Sequence, residues 1–357
     1  MPPGGHKGRP YARIKQGAIQ GERNMHVWKL AVFGLCAALS ATAARADEPV
    51  KIRASWVAPL ANWASILLEK KDLAQHAGKS YVMEQVRYAG TPLIITALAN
   101  RELEIGSLAY STLALAVGNA GMDDLRIIGD EFQDGVEGYY SQEFMVLKDG
   151  PIHKVEDLKG KVVATNAVGS AVDVAMRAML HKHGLEDRRD YTVVEAAFPA
   201  MRAMLAEKKV DIIPGVLPFS LDPELRKIAQ PLFVQREAIG VTDMIVWTAR
   251  KPFLDKNRAA MVDFMEDTLR IVHWYVDPAN HREATEIAAR VTRQPAAQLD
   301  WLFTKQDEFH DPNMMPNLAA LQGNVDLTRD LGLVRSSIDV KKQADLSIVQ
   351  EAAARLK

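Results

Sequence analysis

The chain carries an internal duplication, and that constrains its fold more than any other feature. GTPLIITALANRELEI at residues 90–105 lies on AFPAMRAMLAEKKVDI at residues 197–212 with a constant offset, pairing Pro92 with Pro199, Leu98 with Leu205 and Glu104 with Asp211. Two amphipathic helices share an apolar period whatever their origin, so the order of elements around the match carries more weight. Residues 50–57, 81–88 and 103–106 read as strands, with helices at 64–76 and 92–101 between them. Residues 161–165, 191–195 and 210–213 read as strands in the second copy, with helices at 171–183 and 199–208. Strand and helix alternating in this way predict parallel α/β architecture, here in two copies. Single extended segments at 144–147 and 242–249 flank the second copy. They suit a chain that crosses into a second lobe and returns, leaving a hinge and a ligand cleft between the lobes. The expected partition is 47–143 with 248–357 for lobe 1, and 144–247, hinge strands included, for lobe 2. From Pro252 the pattern is mostly helical, at 259–275, 283–292, 295–303, 315–331 and 340–356, and is expected to cap lobe 1.

The amino-terminal region reads differently. Residues 1–24 are polar and basic without an apolar period and are expected to be disordered or to precede a true start at Met25. Residues 25–29 form a short basic segment, 30–39 an apolar run, and Ala44-Arg45-Ala46 a small-residue cleavage site before Asp47. That is the pattern of a secretory signal peptide over 25–46, too short in its apolar part to span a bilayer. Cys36 lies inside the run after a large Leu35; it reads as incidental to the leader, with lipidation the lesser alternative. Beyond Ala46 the chain has no cysteine, which excludes disulfides, cysteine metal sites and cysteine nucleophiles from the mature protein. That part also carries 37 basic and 44 acidic side chains, a balance that argues against nucleic acid or an anionic membrane as partner.

Catalytic motifs are missing from the sequence. There is no nucleophile elbow, no H-E-x-x-H, and no phosphate-loop lysine after Gly169-Ser170, while His181 and His183 fall on different faces of a helix end. No cofactor and no metal site is expected. What remains is a convergence at the carboxyl ends of parallel strands, where open α/β sheets hold their ligands. Trp56 and the 59–63 loop with Trp63, then Tyr110 and Ser111, come from the first copy; Thr165, Asn166, Gly169 and Ser170, then the 214–218 segment, come from the second. The 165–170 turn precedes a helix whose first N–H groups and positive dipole end suit a carboxylate, sulfonate or phosphate. The same residues also read as an ordinary N-cap, Ser170 with Asp173 completing a capping box. No arginine falls in these loops, so the charge of an anion would be met by backbone donors and helix dipoles.

These residues resemble a known family: periplasmic substrate-binding proteins of ABC transporters of the nitrate/sulfonate/taurine type, also called SsuA-like or NMT1/THI5-like. The resemblance rests on Gly90-Thr91-Pro92 with 97–106, on Val155-Glu156-Asp157-Leu158-Lys159-Gly160-Lys161, on His183-Gly184-Leu185, on 203–211 and on 274–280. It implies the two-lobed periplasmic-binding-protein fold of type II, each lobe a mostly parallel sheet flanked by helices. It also implies a monomer in the periplasm that captures a small anionic organic molecule and delivers it to an inner-membrane permease and its ATPase, without chemistry. Trp56, Trp63, Tyr110, Ser111, Asn166, Gly169 and Ser170 are placed near the cleft by the same resemblance. Ser107-Leu108-Ala109-Tyr110 stands where a more glycine-rich turn is usual, which favours an aromatic or larger aliphatic ligand. The alternatives are a pyrimidine-synthesising THI5-like enzyme, whose cysteine cluster this chain lacks, and a periplasmic ligand sensor.

Overall fold

A computed structural model describes residues 48–357; the 1–24 stretch, the 25–46 leader and its cleavage site lie outside the described residues. β1 (Val50–Trp56) and β2 (Tyr81–Arg87) pair in parallel from Val50↔Tyr81 to Trp56↔Arg87. A parallel bridge, Ala54↔Ile105, joins β1 to the residue before β3 (Gly106–Ala109), with α1 (Thr91–Ala99) crossing between β2 and β3. After β3 come α2 (Tyr110–Gly118) and β4 (Leu125–Asp134), then β5 (Glu143–Leu147). The second copy follows as β6 (Lys161–Thr165), α3 (Ala171–Lys182), β7 (Tyr191–Glu195), α4 (Phe198–Ala206) and β8 (Ile213–Gly215). β6 and β7 are parallel, and the bridge Val163↔Ile212 ties β6 to the entry of β8. α5 (Pro223–Ile228), β9 (Ala229–Val234), α6 (Gln235–Ile239) and β10 (Thr242–Arg250) complete the sheets.

Both sheets obey one rule. Joined through those two bridges, the strands run β2-β1-β3-β10-β4 in the first and β7-β6-β8-β5-β9 in the second, each with one antiparallel insertion after its three parallel members. β10 arrives in the first sheet only after the whole second copy has been made, so residues 242–247 stand with the first sheet rather than with the second. Every residue of 242–249 is buried there, between β3 and β4 and under α7 (Lys251–Val276).

Several elements depart from the sequence reading. The 64–76 helix is instead two 3₁₀ segments, Trp63–Ser65 and Leu67–Leu73, the second interrupted at Lys70. Lys70 is held by Glu283 and Asp72 and lies 4.2 Å from the Trp274 ring centroid, which draws the segment out of α-helical phase. The strand expected at 103–106 is β3 at Gly106–Ala109, because β10 supplies ladder partners for those four residues. α2 therefore starts at Tyr110, inside what the sequence offers as a turn. β8 runs on through Pro214, opposite Phe144, instead of stopping before it. In the carboxy-terminal part, α8 (His281–Thr292), α9 (Leu318–Asp330), α10 (Val340–Gln343) and α11 (Ser347–Arg355) form, but the helix expected at 295–303 shrinks to one 3₁₀ turn, Ala296–Gln298. No helix among the described residues is long and apolar enough to cross a membrane.

Candidate functional site

The carboxyl ends of the parallel strands from both sheets close around a cavity of about 50 Å³. From the first sheet come Val57, Ala58 and Asn62 after β1, Thr91 at the head of α1, and Ala109 at the end of β3. Asn166, Ser170, Ala171 and Val172 of the β6–α3 turn face them, with Phe198 at the head of α4 and Val216 after β8. The crossing segments supply Phe132, Met244, Ile245 and Gln142. The lining holds no carboxylate, histidine, lysine or arginine. Beside it lies a hollow of about 340 Å³ that shares Val57 and Phe198 and is bordered by Arg87, Tyr88 and Phe219.

Two scaffolds hold the walls. On the first-sheet side, Asn62 Oδ1 accepts the N–H groups of Val57 (2.9 Å) and Ala58 (3.0 Å), while its Nδ2 donates to Glu131 Oε2 (2.5 Å). Glu131 also accepts from the Trp63 N–H (3.1 Å) and from Trp247 Nε1 (2.6 Å). Burial pushes the Glu131 carboxyl up to about 8, against the pull of those donors. On the other side Ser170 is a true N-cap of α3, accepting from Asp173 N, and its hydroxyl donates to Asn166 Oδ1 (2.8 Å). Asp173 Oδ2 accepts the Gly169 N–H (2.8 Å) and Arg177 Nε (2.9 Å). Burial raises the Asp173 carboxyl, while Arg177 opposes the shift.

The sequence-derived site residues separate into three groups. Asn166 and Ser170 line the cavity. Thr165, Gly169, Tyr110 and Ser111 act behind it: Tyr110 Oη donates to Ala171 O and Ser111 Oγ to Gly169 O, both at 2.9 Å, so α2 is bolted to the turn. Thr165 Oγ1 reaches Ala167 O at 3.4 Å from within. Burial drives the Tyr110 phenol well above its ordinary range. Trp63 is elsewhere altogether: its ring, fully buried, stacks on Phe303 at 5.5 Å and meets His310 edge-on at 5.0 Å. Trp56 does not reach the cavity lining either, and sits under the Arg87 guanidinium, 5.3 Å from its ring centroid.

The expectation of outward backbone donors in the turn is corrected. The Gly169 and Ser170 N–H groups do not point outward as free donors, since Asp173 Oδ2 takes the first and Ala167 O (3.1 Å) the second. The donors left over at the α3 terminus belong to Ala171 and Val172, as expected of a first helical turn. Gly169 has φ +84°, a left-handed conformation that proline cannot adopt, so Gly169→Pro would disrupt the turn itself. Arg87, at the border of the adjoining hollow, is absent from the sequence-derived residues because it is the last residue of β2, one step before the loop. No ion pair of the Arg87 guanidinium occurs among the described residues. A cation closing a parallel strand at its carboxyl end is the signal that would have found it.

For metals, His76, Asp263 and Glu266 are the one group of ligand-type side chains close enough together among the described residues. Arg355 pairs with Asp263 (2.9 Å) and Arg270 with Glu266 (2.6 Å), so these carboxylates are already neutralised.

This topology, with a cavity between two like sheets at their carboxyl ends, is the fold of the periplasmic binding proteins. Residues 138–280 match the family model described as NMT1/THI5 like. Among solved structures, the chain is similar to the periplasmic aliphatic sulphonate binding protein SsuA from Escherichia coli, at 18% identity and TM-score 0.62, covering 85% of this chain and 99% of that one. It is similar to the periplasmic nitrate-binding protein NrtA from Synechocystis PCC 6803, at 15% identity and TM-score 0.67, over 87% of this chain and 90% of that one. The desulfurization enzyme DSZB shares the fold as well, at 14% identity and TM-score 0.61, over 86% and 100%. No curated protein sequence matches the chain.

Proposed function

We propose that the protein is an extracytoplasmic solute-binding protein that captures a small organic anion, a sulfonate or carboxylate with an apolar body, and passes it to an ABC transporter permease. The observation that carries this reading is the cavity walled by both sheets. A solute held there touches two lobes at once, and its extra affinity for the closed arrangement shifts the population toward it. In this reading 144–241 form the core of one lobe and the rest of the described chain the other, with β5 and β10 as the crossing strands. Val57, Phe132 and Phe198 suit the apolar body, and Arg87 at the adjoining hollow suits the charge. A lining without a general acid, base or thiol supports capture without turnover. The signal-peptide pattern over 25–46 supports a periplasmic location for a monomer working with a membrane permease and its ATPase.

Thermal-shift screening against alkanesulfonates, aromatic carboxylates, taurine and nitrate tests the reading. A bound solute raises Tm, by about 2.7 kcal/mol of stabilisation at a hundredfold excess over Kd. Arg87→Ala should weaken anion binding about tenfold or more while leaving Tm nearly unchanged, since the side chain is exposed. Turnover of a bound compound, or silence toward every anion, would refute the proposal.

A further inference from the structure

Five polar side chains line the cavity, and their hydrogen bonds divide them. Asn62, Asn166 and Ser170 are committed to protein partners: Asn62 to Val57, Ala58 and Glu131, Asn166 to Ala89 O (3.2 Å), and Ser170 to Asn166. Thr91 and Gln142 are not. Thr91 is 5% exposed and Gln142 1%, and neither Thr91 Oγ1 nor Gln142 Oε1 has a partner among the described residues. Gln142 is otherwise firmly held, its N–H on Asp134 Oδ2 (2.6 Å) and its carbonyl accepting from Gln235 N (2.7 Å). The backbone is anchored while the amide is left idle in an apolar setting of Phe132, Met244 and Ile245.

An idle buried amide costs stability unless something pairs with it. Thr91 heads α1 on the first-sheet side, whereas Gln142 leads into β5 of the second sheet. The geometry points to Thr91 and Gln142 as the specificity-determining pair: the solute carries, besides its anionic group, a neutral hydrogen-bonding group with a donor, such as a hydroxyl, that meets them. This rests on the solute-binding reading and narrows its ligand class. A site built around unpaired polar atoms rejects the analogue that lacks their complement.

Calorimetric titration of the protein with matched probes tests this: propanesulfonate against 3-hydroxypropanesulfonate, and butyrate against 4-hydroxybutyrate. The hydroxylated member of at least one pair should bind about tenfold tighter or better. Gln142→Met should bring that ratio close to one and leave the Tm of the ligand-free protein equal or higher, because it removes an unpaired polar group. Thr91→Val should lower the ratio by a smaller factor and supplies a second variant. Equal binding within both pairs overturns the assignment and leaves solute binding standing. Absence of binding by all four probes, together with silence in the wider anion screen, overturns both. A Gln142→Met protein with lowered Tm and an undiminished ratio makes Gln142 a structural residue and overturns the assignment alone.

Discussion

The loops that follow β1 and β6 occupy equivalent places in the two copies, yet they are built in opposite ways. The β6–α3 turn is organised by a carboxylate three residues beyond its N-cap: Asp173 receives Gly169 N–H and Arg177, and Ser170 caps the helix. The β1 loop is organised by Glu131, a carboxylate from β4 that holds Asn62 and the Trp63 N–H. Local capping yields a regular α-helix after β6, whereas the distant anchor yields two 3₁₀ segments after β1. Both solutions tie up the loop's own polar groups and leave small apolar residues, Val57 and Ala58 against Ala171 and Val172, facing the cavity. The polar atoms of these walls are therefore already paired, and in the proposed reading recognition falls to residues outside the two loops, among them Arg87, Thr91 and Gln142.

If the β1 loop depends on its long-range anchor, its loss should be the costlier of the two. Asn62→Ala strips Glu131 of a donor and leaves the Val57 and Ala58 N–H groups without their acceptor, at a cost of about 3–5 kcal/mol, read from urea unfolding. Gly169→Pro tests the local anchor at its most sensitive point, removing the N–H given to Asp173 and forcing an impossible φ; about 3 kcal/mol should be lost. An effect below about 1 kcal/mol for the first, or one much larger for the second, would reverse the comparison.

The strands that carry the anchors also hold a pH response. Asp130 and Asp243 are buried together where β4 meets β10, near Gln133, Asp311, Asn317 and Asn324; burial raises Asp130 well above the usual carboxylate range and Asp243 to about 7. Because the folded state holds the proton more tightly than the unfolded chain, the stabilisation is complete below about pH 4 and is lost as pH rises through about 7. Tm should therefore fall by a few degrees between pH 5 and pH 8, and Asp243→Asn should flatten that fall. A Tm that rises over the same interval in the unaltered protein contradicts the buried protonated pair. The smallest effect belongs to the N-cap itself. Ser170→Ala should cost about 1 kcal/mol and leave the β1 loop's hydrogen-exchange protection untouched.

The contrast between the loops also shows what the amino-acid sequence determined by itself. The α3 N-cap, the paired helices α1 and α4 with their leading prolines, and the strand–helix alternation all rest on interactions within a few residues, and such interactions are written in adjacent letters. Asn166 and Ser170 were legible as residues of the cavity wall for the same reason. Trp63 was misplaced because one aromatic after a strand cannot be assigned to core or cleft until Phe303 and His310, contributed by the carboxy-terminal segment, are packed against it. Arg87 escaped because strand ends are ragged in sequence, and Gln142 because an unpaired amide is recognisable only once every possible partner has been placed. The start of β3, the sheet to which β10 belongs and the 3₁₀ course of the β1 loop were decided by tertiary structure. Each depends on a partner more than forty residues away, Ile245 for Ala109, Asp134 for Thr242 and Glu131 for Asn62. Local propensity cannot encode a contact whose other half is set by the closure of the whole chain.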